Sequence, residues 1–251
     1  ENIKKALGDR PLDYVILSHT HYDHIGGLPY LRKVWPDLVS IGAAYGKKVL
    51  ERESARKQIE FLSVSAWKKY AGDVIKPAVL MDGLKIDRVV CEKDIISIGD
   101  KDIHVFETPG HTSCCLTFLL EPGKVLFPGE TFGVYAGNGM LVTGMLKSCR
   151  ETVESIEKCR NIEVECIISP HYGRVPDRDA RAYWDLALKS VELNKKFIMK
   201  KIKEGASFEE IMKEYTEEFY VDLVKKEQPK EAFLLNAQLM IRNLLKEFQT
   251  I

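Results

Sequence analysis

The chain lacks several features that would have pointed to a function at once. It has no surplus charge: 37 Lys and Arg balance 37 Asp and Glu, so the formal net charge is zero. A protein that holds nucleic acid or an anionic membrane by bulk charge needs a basic excess, and this chain has none. No apolar run reaches the roughly 20 residues of a membrane-spanning helix, and no secretory-leader pattern opens the chain. The six cysteines include no CxxC pair. That excludes the commonest thiolate zinc spacing, and with Cys114 and Cys115 adjacent the set reads as the reduced thiols of a cytoplasmic protein rather than a disulfide framework. There are no internal repeats. The glycines of segment 133–139 lack the spacing of a phosphate loop and are expected to form a loop beside a site.

What is present is an ordinary globular composition, 45% hydrophobic and 29% charged over 251 residues. The first residue is Glu1, and Asn2–Leu7 reads as a short helix stopped by Gly8. A domain that opens on a helix is expected to lack first N-terminal strands that the natural protein carries. The apolar run 13–18 has the pattern of a buried strand. A short helix over 28–34, a strand over 38–41 and one long helix over 43–70 follow. From 79 to 127, apolar runs punctuated by Gly and Asp predict a strand meander. Ser148 and Glu151 have capping-box spacing and open a helix, and 164–169 is another buried strand. Beyond Pro176 the apolar residues fall at helical spacing, interrupted by Gly205 and Pro229, with a second capping box at Ser207 and Glu210. The expected division is a metal-binding domain over 1–178 and a helical region over 179–251, acting as a cap or as a homodimer layer.

Three histidines and an aspartate fall within six residues: His19, His21, Asp23 and His24, directly after the first strand. So many imidazole nitrogens beside a carboxylate are hard to satisfy by packing, whereas a divalent metal satisfies them together. Three further candidates recur in one setting, a buried strand followed by a Pro or Gly bend. They are His111 in TPGHT, Glu130 in FPGET and His171 in SPHYG. Strand ends on one sheet edge converge, so these loops can meet around one point. His104 lies inside a strand and is expected to be structural. Cys114 and Cys115 run into a strand and are expected to pack. Ser169 belongs to no nucleophilic triad. Tyr172 and Arg174 flank His171 and are candidates to face a substrate, Tyr172 as a proton donor and Arg174 as a partner for an anion.

At these residues the chain resembles the metallo-β-lactamase fold superfamily. The HxHxDH signature is complete at His19, His21, Asp23 and His24, and the single-ligand motifs follow in order at His111, Glu130 and His171. The resemblance covers roughly residues 10–175. It implies an α/β fold, an αββα sandwich with a C-terminal helical extension, and two divalent metals along one edge. By that resemblance His19, His21 and His111 bind the first metal, Asp23, His24 and His171 the second, and Glu130 bridges them. Zinc suits the histidine-rich set, and iron or manganese fit an oxygen-rich second site. One departure stands out: the family usually carries Asp where this chain has Glu130.

The expected chemistry is hydrolysis. Two cations lower the pKa of water from about 15.7 toward neutrality, and a hydroxide shared between them attacks, with Asp23 orienting it. The expected substrate is a small ester, thioester or lactone. Two alternatives remain. One is a flavodiiron-like di-iron redox protein, which usually has Glu where this chain has His21. The other is a non-catalytic metal-binding or sensing module. Specificity is expected to come from the helical region 45–75, the loop 132–147 and the C-terminal helices.

Overall fold

The computed structural model describes residues 2–71 and 81–248. The end of the expected helical region 45–75 and the start of the expected meander at 79 fall partly outside them. The described residues group into two compact units, Glu1–Val90 and Cys91–Ile251.

The first unit runs α1 (Asn2–Leu7), β1 (Tyr14–Ile16), α2 (Tyr22–Ile25), α3 (Leu28–Val34), β2 (Val39–Ala43), α4 (Ala44–Leu50), α5 (Glu53–Ala71) and β3 (Arg88–Val90). Its three strands form a parallel sheet in the order β1-β2-β3, with Ile16 opposite Ile41 and Ala43 opposite Val90. The central strand is buried along most of its length, as the middle of a parallel sheet must be. Leu17, Ile25, Leu28, Leu38, Leu50, Ile59, Leu84 and Ile86 form the apolar core.

A polar knot closes one side of that core. The Asp87 carboxylate accepts from the Ser40 N–H at 2.9 Å and pairs with Arg32 and with Lys85, the latter at 3.0 Å. Partial burial works to raise the pKa of Asp87. The Arg32, Ser40 and Lys85 hydrogen bonds outweigh it and hold the group well below its ordinary 3.8.

The second unit continues with β4 (Ile95–Ile98), β5 (Lys101–Glu107), β6 (Leu116–Glu121), β7 (Val125–Phe127), β8 (Val134–Tyr135), β9 (Leu141–Val142), α6 (Cys149–Cys159), β10 (Cys166–Ser169), β11 (Gly173–Arg174), α7 (Asp177–Ala180), α8 (Tyr183–Lys203), α9 (Phe208–Phe219), α10 (Asp222–Glu227) and α11 (Lys230–Phe248). Six strands form one sheet in the order β11-β10-β7-β6-β5-β4. Its pairings are antiparallel except for β10 beside β7, where Cys166 lies opposite Val125. Leu119, Leu126 and Ile167 of the sheet share one apolar core with Ile156 of α6, Val191 and Ile198 of α8, Ile211 of α9, and Met240, Ile241 and Leu244 of α11. The helices after residue 178 therefore pack into the same interior as the strands. Among the described residues, no helix is long and apolar enough to cross a membrane.

Several local expectations are modified. The segment 43–70 is two helices that break at Glu51 and Arg52, because they have different partners: α4 packs on β2 and β3, α5 on α2 and α4. The glycine-rich stretch 133–139 belongs to the small hairpin β8–β9, closed by Ala136 N–H to Met140 O at 2.9 Å. The run 84–90 is a strand only over Arg88–Val90. At α6 the capping box is half formed. Ser148 Oγ accepts from Glu151 N–H at 3.1 Å, but the Ser148 N–H is spent on the Gly110 carbonyl and the Glu151 carboxylate binds Lys147 Nζ at 2.6 Å. At α9 both halves of the box are made, by Ser207 and Glu210.

Candidate metal centre

In the first unit the candidate ligands sit where the parallel sheet ends. Leu17 N–H still donates to the Ile41 carbonyl at 2.8 Å, and the chain then leaves the sheet. His21 takes an extended conformation (φ −70°, ψ 152°) and caps the one-turn helix α2. In that turn Ile25 is buried and Tyr22 packs on the apolar core, while Asp23 and His24 stay outside it. The imidazole rings gather: His19 is 4.7 Å from His21 and 4.2 Å from His24, centroid to centroid. His24 Nε2 lies 3.7 Å from Asp23 Oδ2. His19 is only 1% exposed, and its Nδ1 is 3.1 Å from Ser18 Oγ, a contact that fixes the ring.

In the second unit the ligands come from three strand ends. Gly110 precedes His111 at φ 140°, and a Cβ there would stand 2.7 Å from the backbone N of Thr152. Only glycine lets this loop lie against the start of α6, where Ser155 Oγ donates to the Pro109 carbonyl at 2.7 Å. Three buried threonines tie the His111 loop to the Glu130 loop. Thr108 and Thr117 hydroxyls meet at 3.0 Å, Thr117 donates to the Pro128 carbonyl at 2.7 Å, and Thr131 donates to the Thr108 carbonyl at 2.6 Å. His171 follows β10 in a left-handed conformation, φ 62°. That backbone costs a non-glycine residue roughly 1–2 kcal/mol, and here it belongs to a side chain in the candidate site.

These loops bring His111, Glu130 and His171 together. Glu130 Oε2 is 3.0 Å from His111 Nε2, and Oε1 is 2.6 Å from His171 Nε2. One carboxylate thus offers one oxygen to each imidazole. On its other side His111 Nδ1 lies 2.7 Å from the Gly144 carbonyl. A carbonyl only accepts, so Nδ1 carries the proton. Nε2 of the neutral ring then points a lone pair at a carboxylate oxygen, which is repulsive unless a proton or a cation lies between them. Two ligand atoms on one tetrahedral zinc stand about 3.4 Å apart, so the His111–Glu130 pair needs only a small adjustment to share an ion. The donor set fits a divalent metal. Gly129, in the left-handed region at φ 64°, turns the backbone directly before Glu130.

The other candidates fall into place one by one. Tyr172 is 47% exposed and stands edge-on to Tyr135 at 4.6 Å. Tyr135 in turn donates its hydroxyl to Asp179. Arg174 is exposed and pairs with Asp177 at 3.0 Å. Ser169 is buried and accepts the Tyr135 N–H at 3.0 Å, a structural role. Cys114 and Cys115 are buried, and burial pushes the Cys115 thiol up to about 12, far from a reactive thiolate. His104 lies within β5, opposite Ile95 and Leu119. Sequence reasoning missed Ser18, Gly144, Tyr135 and Asp179. Ser18, adjacent to His19, was the one of these with a visible signal.

The fold and the donor set define a metal-binding α/β protein. Residues 2–194 match the metallo-beta-lactamase superfamily, and the chain belongs to that family. It is 27% identical over 205 residues to a hydroxyacylglutathione hydrolase of Prochlorococcus marinus (strain NATL1A), covering 78% of this chain and 65% of that protein. It is 26% identical over 148 residues to an atrochrysone carboxyl ACP thioesterase of Aspergillus fumigatus, covering 59% of this chain and 34% of that protein. The chain thus spans less than two thirds of the length of either relative. Among solved structures, a metallo-beta-lactamase family protein of Thermus thermophilus superposes with a TM-score of 0.61 at 13% identity, over 95% of this chain and 74% of that one. That likeness shows the metallo-beta-lactamase fold, here with its C-terminal helices.

Proposed function

We propose that His19, His21, Asp23 and His24 act jointly with His111, Glu130 and His171 to hold two divalent cations, zinc foremost. We further propose that the protein hydrolyses a small activated acyl compound, a thioester ahead of an ester or lactone. The observation that carries the reading is the Glu130 carboxylate, with one oxygen toward His111 Nε2 and the other toward His171 Nε2. A bridging ligand needs that arrangement, and a purely structural ion pair does not. His19, His21 and His111 would hold the first cation and Asp23, His24 and His171 the second. Bound there, the cations lower the pKa of water toward neutrality and polarise a carbonyl oxygen.

The chain's own groups do the rest. Ser18 and the Gly144 carbonyl keep the His19 and His111 rings oriented. Asp23 accepts a hydrogen bond from the attacking water and aligns it. Tyr172, half exposed beside His171, meets the acyl substrate and donates its hydroxyl toward the leaving atom. Arg174 takes an anionic end by releasing Asp177. Two relatives whose names specify a hydroxyacylglutathione and an acyl carrier protein substrate support the preference for a thioester.

The test is elemental analysis of the purified chain together with turnover of an S-acyl glutathione, an acyl-coenzyme A, an aryl ester and a lactone. Two zinc ions per chain and fastest turnover of a thioester are expected. Bound iron with oxygen consumption, or metal without turnover of any of the four, overturns the reading.

A further inference from the structure

We propose that the C-terminal helices set the tautomer of His111 through a buried polar relay in which Ser190 is the positioning residue. The proposal rests on the reading of His111 as a metal ligand. The Gly144 carbonyl accepts from His111 Nδ1, and the residue before it is anchored from the helical side. Thr143 N–H donates to Ser190 Oγ at 3.1 Å, and Thr143 Oγ1 lies 3.0 Å from the same oxygen. One turn further along α8, Asn194 Nδ2 donates to the Ser190 carbonyl at 2.9 Å. Asn194 Oδ1 then accepts the hydroxyl of Tyr215, from α9, at 2.5 Å. Thr143, Ser190, Asn194 and Tyr215 are all buried, so water does not readily replace any of these bonds.

The chain of contacts therefore runs from α9 through α8 to the loop after β9 and ends on an imidazole nitrogen. Its effect is specific. A neutral imidazole carries one proton, and a carbonyl held at Nδ1 keeps it there, leaving Nε2 as the electron-pair donor beside Glu130. If Ser190 loses its hydroxyl, the Thr143 N–H loses its acceptor, the Gly144 carbonyl drifts, and the Nε2–H form of His111 becomes populated. Ser190 touches neither substrate nor metal; it acts through Gly144.

The experiment uses the full chain, labelled with nitrogen-15 in histidine and treated with chelator, in a Glu130→Gln background at alkaline pH, where no carboxylate faces the Nε2 lone pair. Ring-nitrogen spectra should show His111 as a single Nδ1–H form in that background and as a mixture when Ser190→Ala is added. Zinc affinity, read with Glu130 in place by competition with a chromophoric chelator, should fall about tenfold in Ser190→Ala, the lower end of what groups orienting a metal ligand contribute. Tyr215→Phe, which removes one hydroxyl and keeps the ring packed, should give the same change in smaller size if Ser190→Ala folds poorly. Val191→Ala thins the same core from the neighbouring position and should lower the melting temperature without changing tautomer or affinity. A pure Nδ1–H form in both Ser190→Ala and Tyr215→Phe overturns the proposal, as does an equal loss of zinc affinity in Val191→Ala. If the unmodified chain binds no zinc, the metal reading fails, and the ring-nitrogen spectra still decide the relay.

Discussion

The two units present ligand-type residues in opposite ways. In Glu1–Val90 they are neighbours in the chain: one extended residue and one helical turn place His19, His21, Asp23 and His24, and the His19 ring lies within 5 Å of both His21 and His24 because the backbone between them is so short. In Cys91–Ile251 the ligand-type residues His111, Glu130 and His171 are spread over some sixty residues. They meet because Thr108, Thr117 and Thr131 tie the His111 loop to the Glu130 loop, Ser155 of α6 holds the His111 loop, and β10, which leads into His171, pairs with β7. A contiguous set is cheap in chain entropy and tolerant of its surroundings. A dispersed set depends on every contact that closes its loops.

That contrast can be broken or sharpened by substitution. The largest effect is expected at the two ends of the comparison. Glu130→Gln removes the charge shared by two imidazoles, so zinc affinity should fall more than about a hundredfold and elemental analysis after dialysis should find almost no metal. His24→Ala should leave one zinc per chain. If Glu130→Gln retains both metals, the carboxylate is not shared.

Next is Gly110→Ala, which drives a methyl group into the Thr152 backbone at a φ of 140°. A loss of about 3 kcal/mol is expected, read by chemical denaturation. Ser18→Ala should weaken zinc binding by about tenfold without lowering the melting temperature, because it frees a ring and not a loop.

Asp87→Asn tests the polar knot of the first unit. The folded-state pKa of Asp87 is depressed, so its contribution is fully present above its ordinary 3.8 and is lost as pH falls below that value. The gap in melting temperature between the parent and Asp87→Asn should be widest near neutrality and should narrow below about pH 4. The smallest effects are at the helix caps. Ser207→Ala should cost about 1 kcal/mol, and Ser148→Ala, with half its box unmade, should cost less from capping alone. Equal losses by thermal melting would mean that the reciprocal arm at Ser207 contributes nothing.

Much of this was legible in the residues. The HxHxDH run and the three bends at His111, Glu130 and His171 could be read because ligand chemistry is carried by side-chain type at short spacing. Helices α8, α9 and α11 could be read because apolar periodicity over many residues is hard to mistake. The break at Glu51 and Arg52 could not, since both helices it separates are good helical sequence and only their different packing partners part them. The hairpin β8–β9 was hidden by its glycines, which mark loops and hairpin turns alike. Nor could the half-made box at Ser148 be foreseen, because the Gly110 carbonyl that claims its N–H lies far away in the chain.

The sequence by itself determined which atoms are available to bind a metal and that strand ends would carry them, because those properties belong to residue type and short-range periodicity. Tertiary structure alone decided which nitrogen of His111 bears the proton, that Glu130 divides its two oxygens between His111 and His171, and that helices beyond residue 178 reach the loop holding Gly144. These are angles and distances among groups remote in the chain. They exist only once the strands have paired and the helices have closed over them.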